Sequence, residues 1–173
     1  NYGEPSLYET EVTLLHKENI VDTYKLNVGI RTVELDISDS TSEDDIGEFC
    51  FKVNGRRIFA MGSNWVPLDA FHSQDTKRLG KAFEMLDDLG CNIVRCWGGN
   101  VYESDEFFDF CDRHGIMVWQ DFAMGCGVYP QTLDFMNRFK EEAVYQIKRL
   151  RNHPSLIAKE GRVFKEVVAE IAS

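Results

Sequence analysis

The sequence predicts an α/β fold, a parallel sheet covered by helices, entered from the last strands of a β-sandwich. Three observations predict it. Residues 1–45 alternate apolar and polar positions in the manner of half-buried strands. From about residue 58 onward, short apolar runs alternate with stretches at helical spacing. Those runs are almost continuously apolar, as strands covered by helices are.

The elements follow in order. Tyr8, Thr10, Val12 and Leu14 alternate with Glu9, Glu11 and Thr13. Leu26, Val28 and Ile30 alternate again, and Val33 and Leu35 continue in the opposite phase. A phase flip of one residue predicts a bulge near Arg31. Two or three strands do not bury a core alone, so this segment is expected to complete a larger sandwich. Ser38 to Asp45 is polar and acidic and reads as a linker. Phe49, Phe51 and Val53 then alternate up to Asn54-Gly55, a strong hairpin signal.

The strand Ile58 to Met61 is expected to end in Gly62-Ser63-Asn64-Trp65. Leu79, Ala82, Phe83, Leu86 and Leu89 predict a helix that Gly90 closes. Cys91 to Trp97 is the next strand. Ser104 suits a helix N-cap, with Asp105 and Glu106 in the first turn and Gly115 at the end. Ile116 to Trp119 is a third strand. Phe135, Phe139, Ala143, Ile147 and Leu150 predict a helix that stops before His153-Pro154, and Ser155 to Ala158 reads as a fourth strand. A doubly wound sheet and a barrel both fit this alternation. A (β/α)8 barrel takes about 250 residues, so a barrel here would be its first half.

The 173 residues are 43% apolar and 12% aromatic, enough for a packed core. The net charge of −10 argues against nucleic acid and against anionic membranes as partners. No run of 18 apolar residues occurs. No targeting segment is visible, and cytoplasm and periplasm are both compatible with the chain. The five cysteines (Cys50, Cys91, Cys96, Cys111 and Cys126) are odd in number and form no CxxC pair. Buried, reduced thiols are expected, with neither a disulfide framework nor a metal site.

Ligands of parallel α/β folds meet the C-terminal ends of the strands. That rule selects Asn64 and Trp65, then Arg95 and Trp97, then Trp119 and Asp121, and a fourth segment following Ala158. Sugars present hydroxyl edges and apolar C–H faces. Asn64, Arg95 and Asp121 would supply donors and acceptors, and Trp97 a flat platform. A purely structural account also stands: Arg95 and Asp121 pair across neighbouring strands, and each Trp sits in the core with its N–H bonded. His16, His72 and His114 read as surface or capping residues, and His153, before Pro154, as a packing or capping residue. Gly125-Cys126-Gly127 lacks the third glycine of a dinucleotide fingerprint, and no general base is apparent for a nucleophilic Cys126.

Five segments resemble the β-mannosidase branch of glycoside hydrolase family 2. They are Phe51 to Gly55, Gly62 to Phe71, Asn92 to Gly99, Val118 to Phe122 and Arg149 to Ser155. The resemblance runs from about 49 to 158. Gly29 to Val33 also resembles the last strand of that family's immunoglobulin-like domain. The resemblance implies residues 1–45 as the end of an immunoglobulin-like β-sandwich domain. It implies 46–173 as the first part of a (β/α)8 TIM barrel. It implies a retaining exo-β-glycosidase that removes terminal β-linked mannose without cofactor or metal. Two carboxylates about 5–5.5 Å apart, an acid/base and a nucleophile, do the chemistry in such enzymes. Trp97 and Asp121 would contact the terminal sugar and Arg95 would organise the site, with Asn64 and Trp65 beside them.

The sequence departs from the family after Ala158. An Asn-Glu pair is expected there, and Lys159-Glu160-Gly161 stands in its place. Val163 to Ile171 resembles the family's next helix, so a catalytic loop looks skipped between 158 and 161. Glu160 lacks the preceding Asn and comes too early, and it is not expected to be the acid/base. The nucleophile segment has no counterpart. A β-galactosidase- or β-glucuronidase-type hydrolase and a non-catalytic sugar-binding fragment are the alternatives. The exposed strand edges of a half barrel would favour association into a homo-oligomer.

Overall fold

The computed structural model describes residues 2–37 and 49–160. The expected linker at 38–45 and the helix expected at 163–171 lie outside the described residues, as does the far side of the step between 158 and 161.

Strands β1 (Tyr8–His16) and β2 (Asn19–Val28) form an antiparallel ribbon. Lys17 and Glu18 turn it with φ of 49° and 69°, the left-handed pair a two-residue hairpin uses. The sequence predicts half-burial, but both faces lie open: Val12, Leu14, Ile20 and Tyr24 are all exposed. Among the described residues these two strands have no second layer to pack against.

The expected bulge at Arg31 is instead a change of sheet. β2 ends at Val28, and β3 (Val33–Ile37) pairs with β4 (Phe49–Val53), which pairs with β5 (Arg56–Ile58). The register irregularity of the ribbon lies at Leu14/Leu15. The β4–β5 turn is the predicted Asn54-Gly55, with φ of 52° and 73°. This three-stranded sheet straddles the boundary expected between residues 45 and 46.

Four parallel strands follow in consecutive order: β6 (Gly62–Trp65), β7 (Ile93–Cys96), β8 (Met117–Asp121) and β9 (Leu156–Glu160). The first lies four residues later than predicted. Pairing with β4 takes Ile58 into the antiparallel sheet. The parallel strand starts at Gly62, where a Cβ would lie 1.7 Å from the Ile93 carbonyl oxygen. Only glycine allows that approach.

Between the strands run α1 (Thr76–Asp88), α2 (Asp105–His114) and α3 (Leu133–Leu150). Gly115 ends α2 with φ of 67°, as the sequence predicts. Ser104 does occupy the N-cap, but through its backbone carbonyl; its hydroxyl makes no capping bond. The Thr132 hydroxyl caps α3 by accepting from the Phe135 N–H.

One core joins alternate strand residues Trp65, Val94, Cys96, Val118 and Leu156 to Leu79 and Phe83 of α1, Phe107 and Phe108 of α2 and Leu150 of α3. All three helices therefore contribute to a core on one face of the sheet. A doubly wound sheet would carry helices on both faces. On the opposite face, at the N-terminal ends of the strands, Ile93 and Met117 pack against Phe51 and Ile58 of the antiparallel sheet. The other end of that face is left to the polar residues described below.

Arg31 ties the N-terminal segment to the fourth strand. Its Nε donates to the Pro154 carbonyl at 2.5 Å and its Nη2 to the Leu156 carbonyl at 2.6 Å. Burial lowers its pKa, and the nearby Asp112 opposes the shift. Asp112 in turn accepts from His153 Nδ1 and from the Ser155 N–H. His153 thus serves packing, as do His72 and His114 beside Asp75 and Asp87. The five cysteines are free. Cys96 and Cys111 are buried and Cys50 and Cys91 half-buried, but Cys126, in the loop that follows the buried Phe122, is exposed, against expectation. Among the described residues no helix is long and apolar enough to cross a membrane.

Candidate functional site

Register gathers the polar residues. Asn64 on β6 lies opposite Arg95 on β7, which lies opposite Trp119 on β8. Cys96, next along, faces the helix-side core, so Arg95 faces away from it. Asp121, two residues beyond Trp119, shares that face at the C-terminal end of β8.

Arg95 grips Asp121 with two nitrogens. Nη2 donates to Oδ2 at 2.7 Å and Nε to Oδ1 at 3.4 Å. The guanidinium lies 5.9 Å from the centre of the Trp119 ring. Trp119 itself packs against the cluster of Phe51, Ile58, Ile93 and Met117, stacked on Phe49 at 6.0 Å, and among the described residues its buried Nε1 has no hydrogen-bond partner.

Asp121 also accepts from the Gly98 N–H at 3.2 Å. One carboxylate thereby holds both the arginine and the turn that follows β7. Trp97 opens that turn, and its ring folds back over Gly99. A Cβ at Gly99 would fall 2.2 Å from the ring. Glycine at this position leaves room for the outer edge of the Trp97 ring.

Trp65 goes elsewhere. It is 6% exposed and packs in the helix-side core against Phe107. Its Nε1 donates to Glu103 Oε1 at 2.9 Å. Glu103 is itself buried, and burial raises the pKa of its carboxyl; the charge of Asp75 adds to the rise, while Trp65 and His72 work against it. The structure therefore brings together Asn64, Arg95 and Asp121, with Trp97 attached through Gly98, and leaves Trp65 on the other face. Glu160 takes the register position opposite Asp121 on β9.

Sequence reasoning missed Tyr102 and Glu103, and weighed Gly125 only as part of an incomplete dinucleotide fingerprint. The Ala123 N–H donates to Tyr102 Oη at 3.0 Å, and Tyr102 Oη donates to Glu142 Oε1 at 3.1 Å. Burial pushes the Tyr102 hydroxyl up to about 12. A Cβ on Gly125 would lie 2.5 Å from the Gly99 nitrogen. None of the three stands in a periodic pattern that would mark it.

A fixed guanidinium–carboxylate pair, the exposed Asn64 amide and a half-buried indole form a surface suited to a neutral polyhydroxylated ring. The comparisons define the class first: this is the fold of glycoside hydrolase family 2 enzymes. The β-D-mannosidase of Dictyoglomus thermophilum superposes with a TM-score of 0.80 at 39% identity, covering 91% of this chain and 19% of that one. The exo-chitosanase CsxA of Amycolatopsis orientalis superposes at 0.78 with 22% identity over 97% of this chain and 20% of that one, which shows a shared fold.

Sequence comparison then narrows the class. The β-mannosidase of Capra hircus is 38% identical over 161 residues, 92% of this chain and 18% of that protein. That of Bos taurus is 43% identical over 135 residues, 78% of this chain and 15% of that protein. No protein-family model matches. Over the stretch it covers, the chain belongs to the β-mannosidase branch of glycoside hydrolase family 2. It spans less than a fifth of the length of these two mammalian relatives.

Proposed function

We propose that this chain carries part of the sugar-holding rim of a retaining exo-β-mannosidase that removes terminal β-linked mannose. The observation that carries the reading is the Asp121 carboxylate. It stands at the C-terminal edge of a parallel sheet and fixes both Arg95 and the Trp97-Gly98-Gly99 turn. The β-mannosidase relatives support the choice of sugar. In this reading Trp97 lies against the apolar face of mannose, Asp121 and Arg95 meet its hydroxyls, and Asn64 flanks them. Trp65 supports the rim from behind.

The consecutive strand order and the one-sided helix core support a sheet that closes as the first half of a (β/α)8 barrel. The open β1–β2 ribbon supports an immunoglobulin-like domain ahead of it. The acid/base and nucleophile would come from other segments of the full enzyme, with Glu160 taking neither role. Two carboxylates suffice for a retaining hydrolysis, and the described residues are asked only to bind and orient the sugar.

The test is hydrolysis by the complete protein. It should release p-nitrophenol from p-nitrophenyl β-D-mannoside much faster than from the β-galactoside or β-glucuronide. A clear preference for either of the latter would overturn the sugar assignment. Mannose binding by calorimetry, without turnover of any aryl glycoside, would leave a sugar-binding module instead.

A further inference from the structure

We propose that Tyr102 is a positioning residue for the Trp97 platform, acting through the loop that follows β8. This deepens the reading above and rests on it for the identity of the sugar.

Two rim loops lie side by side: residues 97–101 after β7, and residues 122–127 after β8. They are fitted backbone to backbone. A Cβ on Gly98 would lie 2.7 Å from the Phe122 carbonyl oxygen, and one on Gly125 would lie 2.5 Å from the Gly99 nitrogen and 2.7 Å from its Cα. At such distances neither loop shifts without moving the other. The Trp97 ring rests on Gly99, so the second loop sets the height of the platform.

Two tyrosines hold that second loop. Tyr129 Oη donates to the Gly125 carbonyl at 2.9 Å, and its ring stacks on Phe135 of α3. Tyr102 Oη accepts from the Ala123 N–H and donates to Glu142 of α3, so one hydroxyl links loop to helix with both hydrogen-bond functions in use. Tyr102 belongs to the chain just past the first loop, and its ring packs with Phe122 and Phe139. It joins the first loop, the second loop and α3 at one point, without being placed against the sugar.

The experiment uses the complete protein and the variants Tyr102→Phe, Glu142→Ala and Glu142→Gln. Hydrogen exchange is followed first, with no substrate present. Tyr102→Phe should speed exchange at residues 122–127 and also at 97–101, although Tyr102 donates to no group in the latter. Faster exchange confined to 122–127 would overturn the proposal. With p-nitrophenyl β-D-mannoside, KM should rise about fivefold, the equivalent of one hydrogen bond, with kcat within about twofold. A fall in kcat at constant KM would also overturn it. Glu142→Ala, at an exposed position, should shift exchange the same way by less, and Glu142→Gln, which keeps an acceptor, should restore wild-type behaviour. A protein that shows the exchange pattern but does not cleave the mannoside would sustain the loop coupling and remove the assigned activity.

Discussion

Arg95 and Asp121 meet across neighbouring strands, Nη2 to Oδ2 at 2.7 Å, with the Asp121 side chain 13% exposed and that of Arg95 40% exposed. The carboxylate is the more buried partner, and it also holds Gly98. Asp121→Ala should destabilise the protein by about 1–3 kcal/mol, toward the lower end because Arg95 reaches water. Asp121→Asn should cost less stability and still lower kcat/KM about tenfold or more, the loss expected of a charged hydrogen-bonding group. Urea denaturation and aryl β-mannoside kinetics separate the two effects.

Trp97 and Trp65 should behave in opposite ways. Trp97→Ala removes the proposed platform and should raise KM about three- to tenfold, the worth of one aromatic contact, with little change in stability. Trp65→Phe takes the indole N–H away from buried Glu103. It should cost about 1–3 kcal/mol of stability and leave KM near wild type. Equal KM effects from both would place them on one surface, contrary to the structure.

Gly99→Ala tests the platform without touching it. The atoms nearest the new methyl, at 2.2–2.6 Å, all belong to the Trp97 ring. The ring should swing aside, so KM should rise while the melting temperature holds. An unchanged KM would mean that the ring's rest on Gly99 does not matter for binding.

Glu103 should show an inverted pH response. Its folded pKa is raised, chiefly by burial, so the folded state holds the proton more tightly than the unfolded chain. The associated stability is present below the ordinary carboxylate range and is lost as pH rises through the raised value. Glu103→Gln keeps an oxygen for Trp65 and removes the titration. Relative to wild type, the variant should therefore gain stability on going from acid to neutral pH. Melting temperatures of both proteins across that range check the sign, and a constant difference would refute it.

The elements were legible where local signals sufficed. Asn54-Gly55 turned the hairpin, and Gly115 closed α2. Periodicity failed where tertiary pairing decided. The run Ile58 to Met61 reads as one strand, yet Ile58 is drawn into the antiparallel sheet and the parallel strand begins only at Gly62. The flip at Arg31 looked like a bulge because a change of sheet and a bulge shift phase alike. The candidate site was legible as a set of strand-end residues, but facing was not. A single step in register separates Asn64, beside Arg95, from Trp65, in the helix-side core. Tyr102 and Glu103 had no signal, since their partners lie 21 to 40 residues away and 38 residues away respectively.

Arg31 finds its acceptors 123 and 125 residues further along the chain. At ribosomal speeds of 5–20 residues per second, Arg31 has left the peptidyl-transferase centre about 6–25 s before Leu156 is added. During that interval the guanidinium lacks both of these acceptors. The joint between the amino-terminal ribbon and the sheet is therefore a late event of biogenesis, sealed only after translation has passed the fourth parallel strand.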